Sequence, residues 1–212
     1  MKKYEFLRKD GTIKKYDFIS VFSEGFAAVE ENGNWGYIDK DGNEICDIKY
    51  QFPHFTVKKD PFLFSEGYVG VGIPNGKFLR FGYLNTKGEE VCPFNYTAVC
   101  DFRGGLALVR DEEMKWFVIN KEFETVTKRT YDMIGNFYFG CAIVKLNGFY
   151  GFINNGGEEM CKIKYKYMSS FGSTGYAQIE LPNQDSDKTY WIDTQGKEYY
   201  MYHSSNEMYL LN

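Results

Sequence analysis

One phrase returns five times along this chain, and it limits the possible folds more than any other feature. Each copy opens on a phenylalanine, at Phe22, Phe64, Phe102, Phe137 and Phe171, so the spacings are 42, 38, 35 and 34 residues. A glycine follows three residues later at Gly25, Gly67, Gly105 and Gly140, and four later at Gly175. Each glycine leads into a short apolar run, such as Phe26-Ala27-Ala28-Val29 or Cys141-Ala142-Ile143-Val144. An aromatic segment comes next: Trp35-Gly36-Tyr37-Ile38-Asp39, Phe81-Gly82-Tyr83-Leu84-Asn85, Trp116-Phe117-Val118-Ile119-Asn120, Tyr150-Gly151-Phe152-Ile153-Asn154 and Thr189-Tyr190-Trp191-Ile192-Asp193. A glycine turn at Gly42, Gly88, Gly156 and Gly196 and a third segment ending on Tyr50, Tyr96, Tyr131 or Tyr165 complete the unit. Units of this size cannot bury their apolar faces alone, so neighbours must stack into a shared core.

Each unit offers three strands of hairpin length, and the sequence predicts an all-β protein of tandem antiparallel three-stranded hairpins. Asn32-Gly33, Asp41-Gly42, Asn75-Gly76 and Asn147-Gly148 are two-residue hairpin turns in which glycine supplies positive φ. Composition agrees: aromatic residues reach 19% of the chain, with 18 Tyr and 19 Phe, and such residues favour strands. The expected organisation is one repeat domain over residues 1–212. It comprises a partial unit at 1–21 and full units at about 22–63, 64–101, 102–136, 137–170 and 171–212. An open twisted array is the first expectation. A closed five-bladed β-propeller is the alternative, disfavoured because the N-terminal half unit and the last unit both supply back-half strands.

The stretch FSEGFAAVEENGNWGYIDKDGNEI, residues 22–45, resembles the bacterial WG-repeat (KWG-repeat) proteins. The resemblance covers about residues 4–200 and weakens along the chain, with Trp35 replaced by Phe81, Tyr150 and Thr189, and Gly36 by Phe117 and Tyr190. It implies a repeat module with no enzymatic activity tied to the repeat itself.

Residues able to carry chemistry are scattered rather than convergent. Cys46, Cys92 and Cys161 lie four residues before their tyrosines, with Thr127 in the same column, which reads as small buried side chains filling a core. Cys141 takes the position of Phe26, and Cys100 stands outside both columns. Five cysteines without CxxC spacing suit a reducing compartment, and no signal peptide or membrane span is evident, so a cytoplasmic location is expected. His54 and His203 are isolated. The recurring Asp39, Asn85, Asn120, Asn154 and Asp193 suit Asx turns better than a calcium loop, since position twelve of that loop would be Tyr50. The doublets Glu30-Glu31, Glu89-Glu90, Glu112-Glu113 and Glu158-Glu159 read as solvated hairpin edges, because adjacent strand residues face opposite ways. The Trp35 and Tyr50 columns read as core.

No catalytic, cofactor-binding or metal-binding residue is assigned, and no ligand-binding residue can be named. A net charge of −4 offers no footprint for nucleic acid or an anionic membrane. The expected function is a non-catalytic module that binds or scaffolds another protein. The alternative is a glycan-binding module using exposed aromatic rings. Extra length within 51–63, near 72–79 and at Leu181–Lys188 reads first as tolerated surface loops, with a functional face grafted onto the repeat as the alternative.

Overall fold

A computed structural model describes residues 4–52, 62–205 and 207–211, and all their regular structure is β. The described chain falls into two compact units. The first holds the residues up to Met114 together with Ile119–Glu124, and the second holds Lys115–Val118 and Thr125 onward. The first unit contains β1 (Tyr4–Leu7), β2 (Ile13–Tyr16), β3 (Phe18–Ile19), β4 (Phe26–Glu31), β5 (Asn34–Asp39), β6 (Tyr68–Asn75), β7 (Phe78–Asn85), β8 (Ala98–Val99) and β9 (Ala107–Arg110). After β10 (Trp116–Ile119), the second unit contains β11 (Met133–Ile134), β12 (Cys141–Leu146), β13 (Phe149–Asn154), β14 (Tyr167–Met168), β15 (Tyr176–Glu180), β16 (Lys188–Asp193), β17 (Glu198–Tyr202) and β18 (Met208–Leu210).

The antiparallel hairpin is the constant element, in one register throughout. In β4–β5, Ala28 faces Tyr37 and Glu30 faces Trp35; in β12–β13, Ile143 faces Phe152 and Lys145 faces Tyr150. Each FxxG phrase is a tight turn ahead of the hairpin. Ser23 and Phe26 exchange both backbone hydrogen bonds, at 2.8 and 2.9 Å, and Glu24 and Gly25 between them have φ of 51° and 93°. Two successive positive φ values explain why glycine recurs there.

The third segment departs from a regular strand. It meets β5 at the bridges Ile38–Glu44 and Trp35–Tyr50, so six residue steps on this segment span three on β5. The excess forms a bulge over the hairpin. The same geometry recurs at Ile153–Glu159 and Tyr150–Tyr165. The glycine of the WG pair makes room for it. A Cβ on Gly36 would lie 2.9 Å from Ile48 Cγ1 and 3.2 Å from its Cα, and one on Gly151 would lie at the same distances from Ile163. In the last repeat the bulge is absent, β17 runs in register with β16 from Ile192–Glu198 to Lys188–Tyr202, and Tyr190 replaces the glycine.

Each column tyrosine stands at a corner where the chain leaves one sheet and enters the next. The following residue donates its N–H to the next hairpin: Asp17 to Glu30 O at 2.8 Å, Gln51 to Gly72 O at 2.9 Å, Asp132 to Lys145 O at 2.9 Å and Lys166 to Glu180 O at 2.8 Å. A two-residue strand such as β3 or β14 follows and adds a further neighbour to the hairpin. The predicted cores form on this frame. Trp35, Tyr37, Tyr50, Phe64, Val69, Val71 and Leu84 pack together in the first unit, and Phe152, Tyr165, Phe171, Ile179 and Tyr190 in the second. Each such ring contributes roughly 2–3 kcal/mol of hydrophobic stabilisation.

The turn after the aromatic segment brings repeats into backbone contact. A Cβ on Gly88 would overlap Ile45 O, one on Gly157 would lie 2.5 Å from Val126 O, and one on Gly196 would overlap Met160 O. The residue at this position in the fourth unit is therefore Gly157, at φ 73°, and not the Gly156 expected from sequence. In the third unit Phe123 adopts φ 61°, and its ring sits against Tyr68, Tyr83 and Phe102 at centroid distances of 5.5, 5.7 and 5.9 Å.

Candidate functional site

The recurring polar residues are tied up in holding the repeats together. The hydroxyls of four column tyrosines donate to a glutamate of the next unit: Tyr16 to Glu44 at 3.0 Å, Tyr50 to Glu90 at 3.0 Å, Tyr131 to Glu159 at 3.0 Å and Tyr165 to Glu198 at 2.7 Å. A cation completes each junction, with Lys14 on Glu44, Lys49 on Glu90 at 3.0 Å, Arg129 on Glu159 at 2.9 Å and Lys164 on Glu198 at 2.7 Å. The bond from Lys49 holds Glu90 below the usual carboxylate range despite partial burial. Burial pushes the Tyr16 hydroxyl up to about 12. Of the glutamate doublets, Glu89, Glu90, Glu112, Glu113, Glu158 and Glu159 are exposed, as expected of hairpin edges, and some of these acids also bind across repeats. Glu90 and Glu159 anchor a buried tyrosine, and Glu30 is only 6% exposed.

The FSEG turns interlock in a second way. Ser23 Oγ donates to Phe64 O at 2.7 Å, and the Glu24 carboxylate accepts from the N–H groups of Glu66 and Gly67 at 2.7 and 2.8 Å. One repeat later Ser65 donates to Phe102 O at 2.8 Å, and Glu66 accepts from Gly104 and Gly105 at 2.5 and 2.9 Å. Each carboxylate thus caps the positive-φ turn of the following unit.

The Asx column forms turns. Asp39 Oδ1 accepts from the N–H groups of Asp41 and Asn43, both at 2.9 Å, and Asn85, Asn120 and Asp193 repeat the pattern. The cysteine column is half-buried instead of forming a fully buried stack, and all five cysteines are free thiols. Burial pushes Cys46, Cys92 and Cys161 up to about 11, each beside a backbone N–H of its hairpin, at Tyr37, Tyr83 and Phe152. Thr127 Oγ1 accepts the equivalent bond from Val118 N–H at 3.4 Å. Thiol and hydroxyl interchange here because both accept the N–H that the bulge leaves without a strand partner. Cys100, unexplained by the pattern, accepts the Tyr83 hydroxyl on its carbonyl at 2.7 Å. His54 lies outside the described residues. His203 is exposed and meets Thr189 Oγ1 at 3.2 Å. Among the described residues no group of three His, Cys, Asp or Glu could hold a metal ion, and no helix is long and apolar enough to cross a membrane.

The first unit carries a broad concave surface. A cleft of about 700 Å³ is lined by Phe52, Phe62, Phe78, Leu79, Phe81 and Met114 among others. It exists because β6–β7 is two residue pairs longer than β4–β5, and the added pair Asn75–Phe78 carries Phe78 clear of the sheet. Phe78 is 72% exposed and Met114 55%. Lys77, Arg80 and Arg110 also line it. Arg80 is paired with Glu112 at 2.8 Å, and Arg110 Nε donates to Thr97 Oγ1 at 3.1 Å. Apart from Phe81, which belongs to the aromatic column, none of these residues was singled out from sequence. The signal that pointed to them was the excess length near 72–79 and within 51–63, of which residues 53–61 lie outside the described part.

The fold defines an all-β module of hairpin repeats interlocked through tyrosine, glutamate and glycine columns. The chain belongs to the family described as WG containing repeat, whose model matches residues 13–35, 35–52, 81–113, 116–148 and 150–181. No curated protein matches it. Among solved structures it is similar to BamB from Moraxella catarrhalis, at 10% identity over 94% of this chain and 75% of that one, with a TM-score of 0.43. Apo AztD from Citrobacter koseri gives 12% identity over 94% and 70%, with a TM-score of 0.41. The computationally designed Ika8 protein gives 11% identity over 96% and 79%, with a TM-score of 0.39. The fold assignment rests on the chain's own hairpins and register.

Proposed function

We propose that this repeat module is non-catalytic and binds a partner protein in the cleft of the first unit. The observation that carries the reading is the exposure of Phe78 and Met114, at 72% and 55%, beside an apolar concavity. Clustered exposed apolar surface of this kind marks interaction sites. Lys77 places a cation on the lining of the cleft, beside Arg110 and an Arg80 already paired with Glu112, on a chain of net charge −4. The matching occupant is a peptide that inserts an aromatic or aliphatic side chain and carries acidic residues beside it. The recurring acids support this reading because they are engaged in Tyr–Glu junctions and Asx turns, where they serve the fold.

The test is peptide display against the full chain, followed by affinity measurement on Phe78→Ser and Met114→Ser variants. Both side chains are exposed, so the substitutions leave the core intact. Selected peptides should share an apolar anchor with flanking acids and should weaken at least about tenfold on either variant. Peptides that bind both variants as well as the parent would refute the cleft as the site.

A further inference from the structure

The second unit carries a small polar pocket whose position in the repeat explains what it is for. It measures about 230 Å³ and is lined by Tyr167, Gln178, Glu180, Ser186, Thr189 and His203 among others. Strand register identifies each wall. Tyr167 pairs with Glu180 as Phe18 pairs with Glu30, and Gln178 faces Trp191 as Ala28 faces Tyr37. Thr189 therefore occupies the place of Trp35. In the first unit the Trp35 indole is 5% exposed and packs edge-on against Phe18 at 5.6 Å and Phe52 at 5.3 Å. In the last unit that ring is missing, and the pocket is the space it would fill.

The walls of the vacated space have changed character. Gln178 stands where the earlier hairpins have Ala28, Gly70, Leu108 and Ile143. The insertion Leu181–Lys188 brings Gln184 and Ser186 to the rim, and the N–H of Asp185 donates to the Tyr190 hydroxyl at 3.3 Å, which pins the insertion over the site. Thr189 and His203 face each other at 3.2 Å. Tyr167, the counterpart of Phe18, is 50% exposed and offers a ring surface to an occupant. The one cation at the wall, Lys188, is held by Asp185 at 3.1 Å and lies 4.9 Å from the Tyr200 and Tyr202 ring centroids.

We propose that this pocket binds a single neutral pyranose ring. An aromatic occupant would strip water from two amides, a carboxylate and two hydroxyls without replacing their hydrogen bonds. An anion would meet the Glu180 carboxylate and a lysine already neutralised. A pyranose satisfies both surfaces: its C–H face lies on Tyr167, and its hydroxyls exchange hydrogen bonds with Gln178, Glu180, Ser186 and Thr189. This site is separate from the apolar cleft and does not depend on it.

The experiment is saturation-transfer NMR on the full chain with methyl glucoside, methyl galactoside, methyl mannoside and N-acetylglucosamine, and with indole and p-cresol as aromatic probes. At least one pyranose should bind, with Kd on the order of millimolar, as one small ring in an open pocket allows. Thr189→Trp restores the missing ring and should remove the signal. Gln178→Ala, which places here the residue found at Ala28 in the same register, should weaken binding at least about threefold and carries the test if Thr189→Trp fails to fold. Phe78→Ser should leave the sugar signal unchanged, which separates this proposal from the cleft. Absence of any pyranose signal, indole or p-cresol binding in place of sugar, or sugar binding that survives both pocket variants would overturn it.

Discussion

Replacing Gly151 by alanine tests why a glycine follows the aromatic residue of this motif. The backbone at Gly151 does not require positive φ, so conformational preference alone makes the substitution harmless. Packing says otherwise. The new Cβ would lie 2.9 Å from Ile163 Cγ1, 3.2 Å from its Cα and 3.5 Å from its Cβ. The Cγ1 can rotate away, but the Cα belongs to a segment held by hydrogen bonds between Tyr150 and Tyr165 at 2.8 and 3.2 Å. Moving that segment also pulls Tyr165 from Glu198, which its hydroxyl reaches at 2.7 Å. Overpacking of this kind costs about 1–3 kcal/mol, and for a chain of this size each kcal/mol lowers Tm by about 2–4 °C. Urea unfolding followed by circular dichroism and tryptophan fluorescence measures the loss. Gly148→Ala is the control: it has φ 85° and nothing within 4 Å, so it carries only the backbone strain of roughly 1 kcal/mol. Adding Ile163→Ala to Gly151→Ala should cost less than the sum of the two single changes, because one clash is removed. A Gly151→Ala variant as stable as the parent, or strict additivity with Ile163→Ala, would refute the reasoning.

Three further outcomes follow from the same contacts. Phe123→Gly relieves a strained φ of 61° but removes a ring from the Tyr68, Tyr83 and Phe102 nest, so a net loss of about 2 kcal/mol is expected by urea titration. Glu44, Glu66 and Glu90 all ionise below the usual glutamate value of 4.5, so their contribution is complete above that value and is lost as pH falls through their lower folded values. Tm should therefore hold on the neutral side of 4.5 and drop below it, and Glu90→Gln should flatten that drop. Cys46, Cys92 and Cys161, with thiols near 11, should react slowly with iodoacetamide at neutral pH and fully in urea, as counted by mass spectrometry.

Much of the fold was legible because it is written in local chemistry. The FxxG turns, the Asx column and the buried Trp35 and Tyr50 rings each depend on residues a few positions apart. What escaped was whatever depends on contact between units. The Tyr–Glu pairs join residues 28 to 40 apart in sequence at unequal spacings, so Glu90 and Glu159 looked like members of solvated doublets and Glu44 and Glu198 drew no notice. The bulge was hidden because a six-residue segment looks as able to pair as a three-residue one. Gly157 was mistaken for Gly156 because two glycines are adjacent and only the approach of Val126 O selects between them. The candidate sites were visible only as symptoms: excess length for the cleft, and for the pocket a threonine where the pattern holds a ring.

The central claim is that each repeat is completed by the next, and the Tyr50–Glu90 pair tests it across one junction. A double-mutant cycle of Tyr50→Phe and Glu90→Gln in urea removes the hydroxyl and the charge separately and together. A part-buried O–H bond to a carboxylate, supported by Lys49, predicts a coupling energy of about 1 kcal/mol. Coupling within about 0.3 kcal/mol of zero would mean that the junction holds nothing, and that the repeats are neighbours without being structural partners.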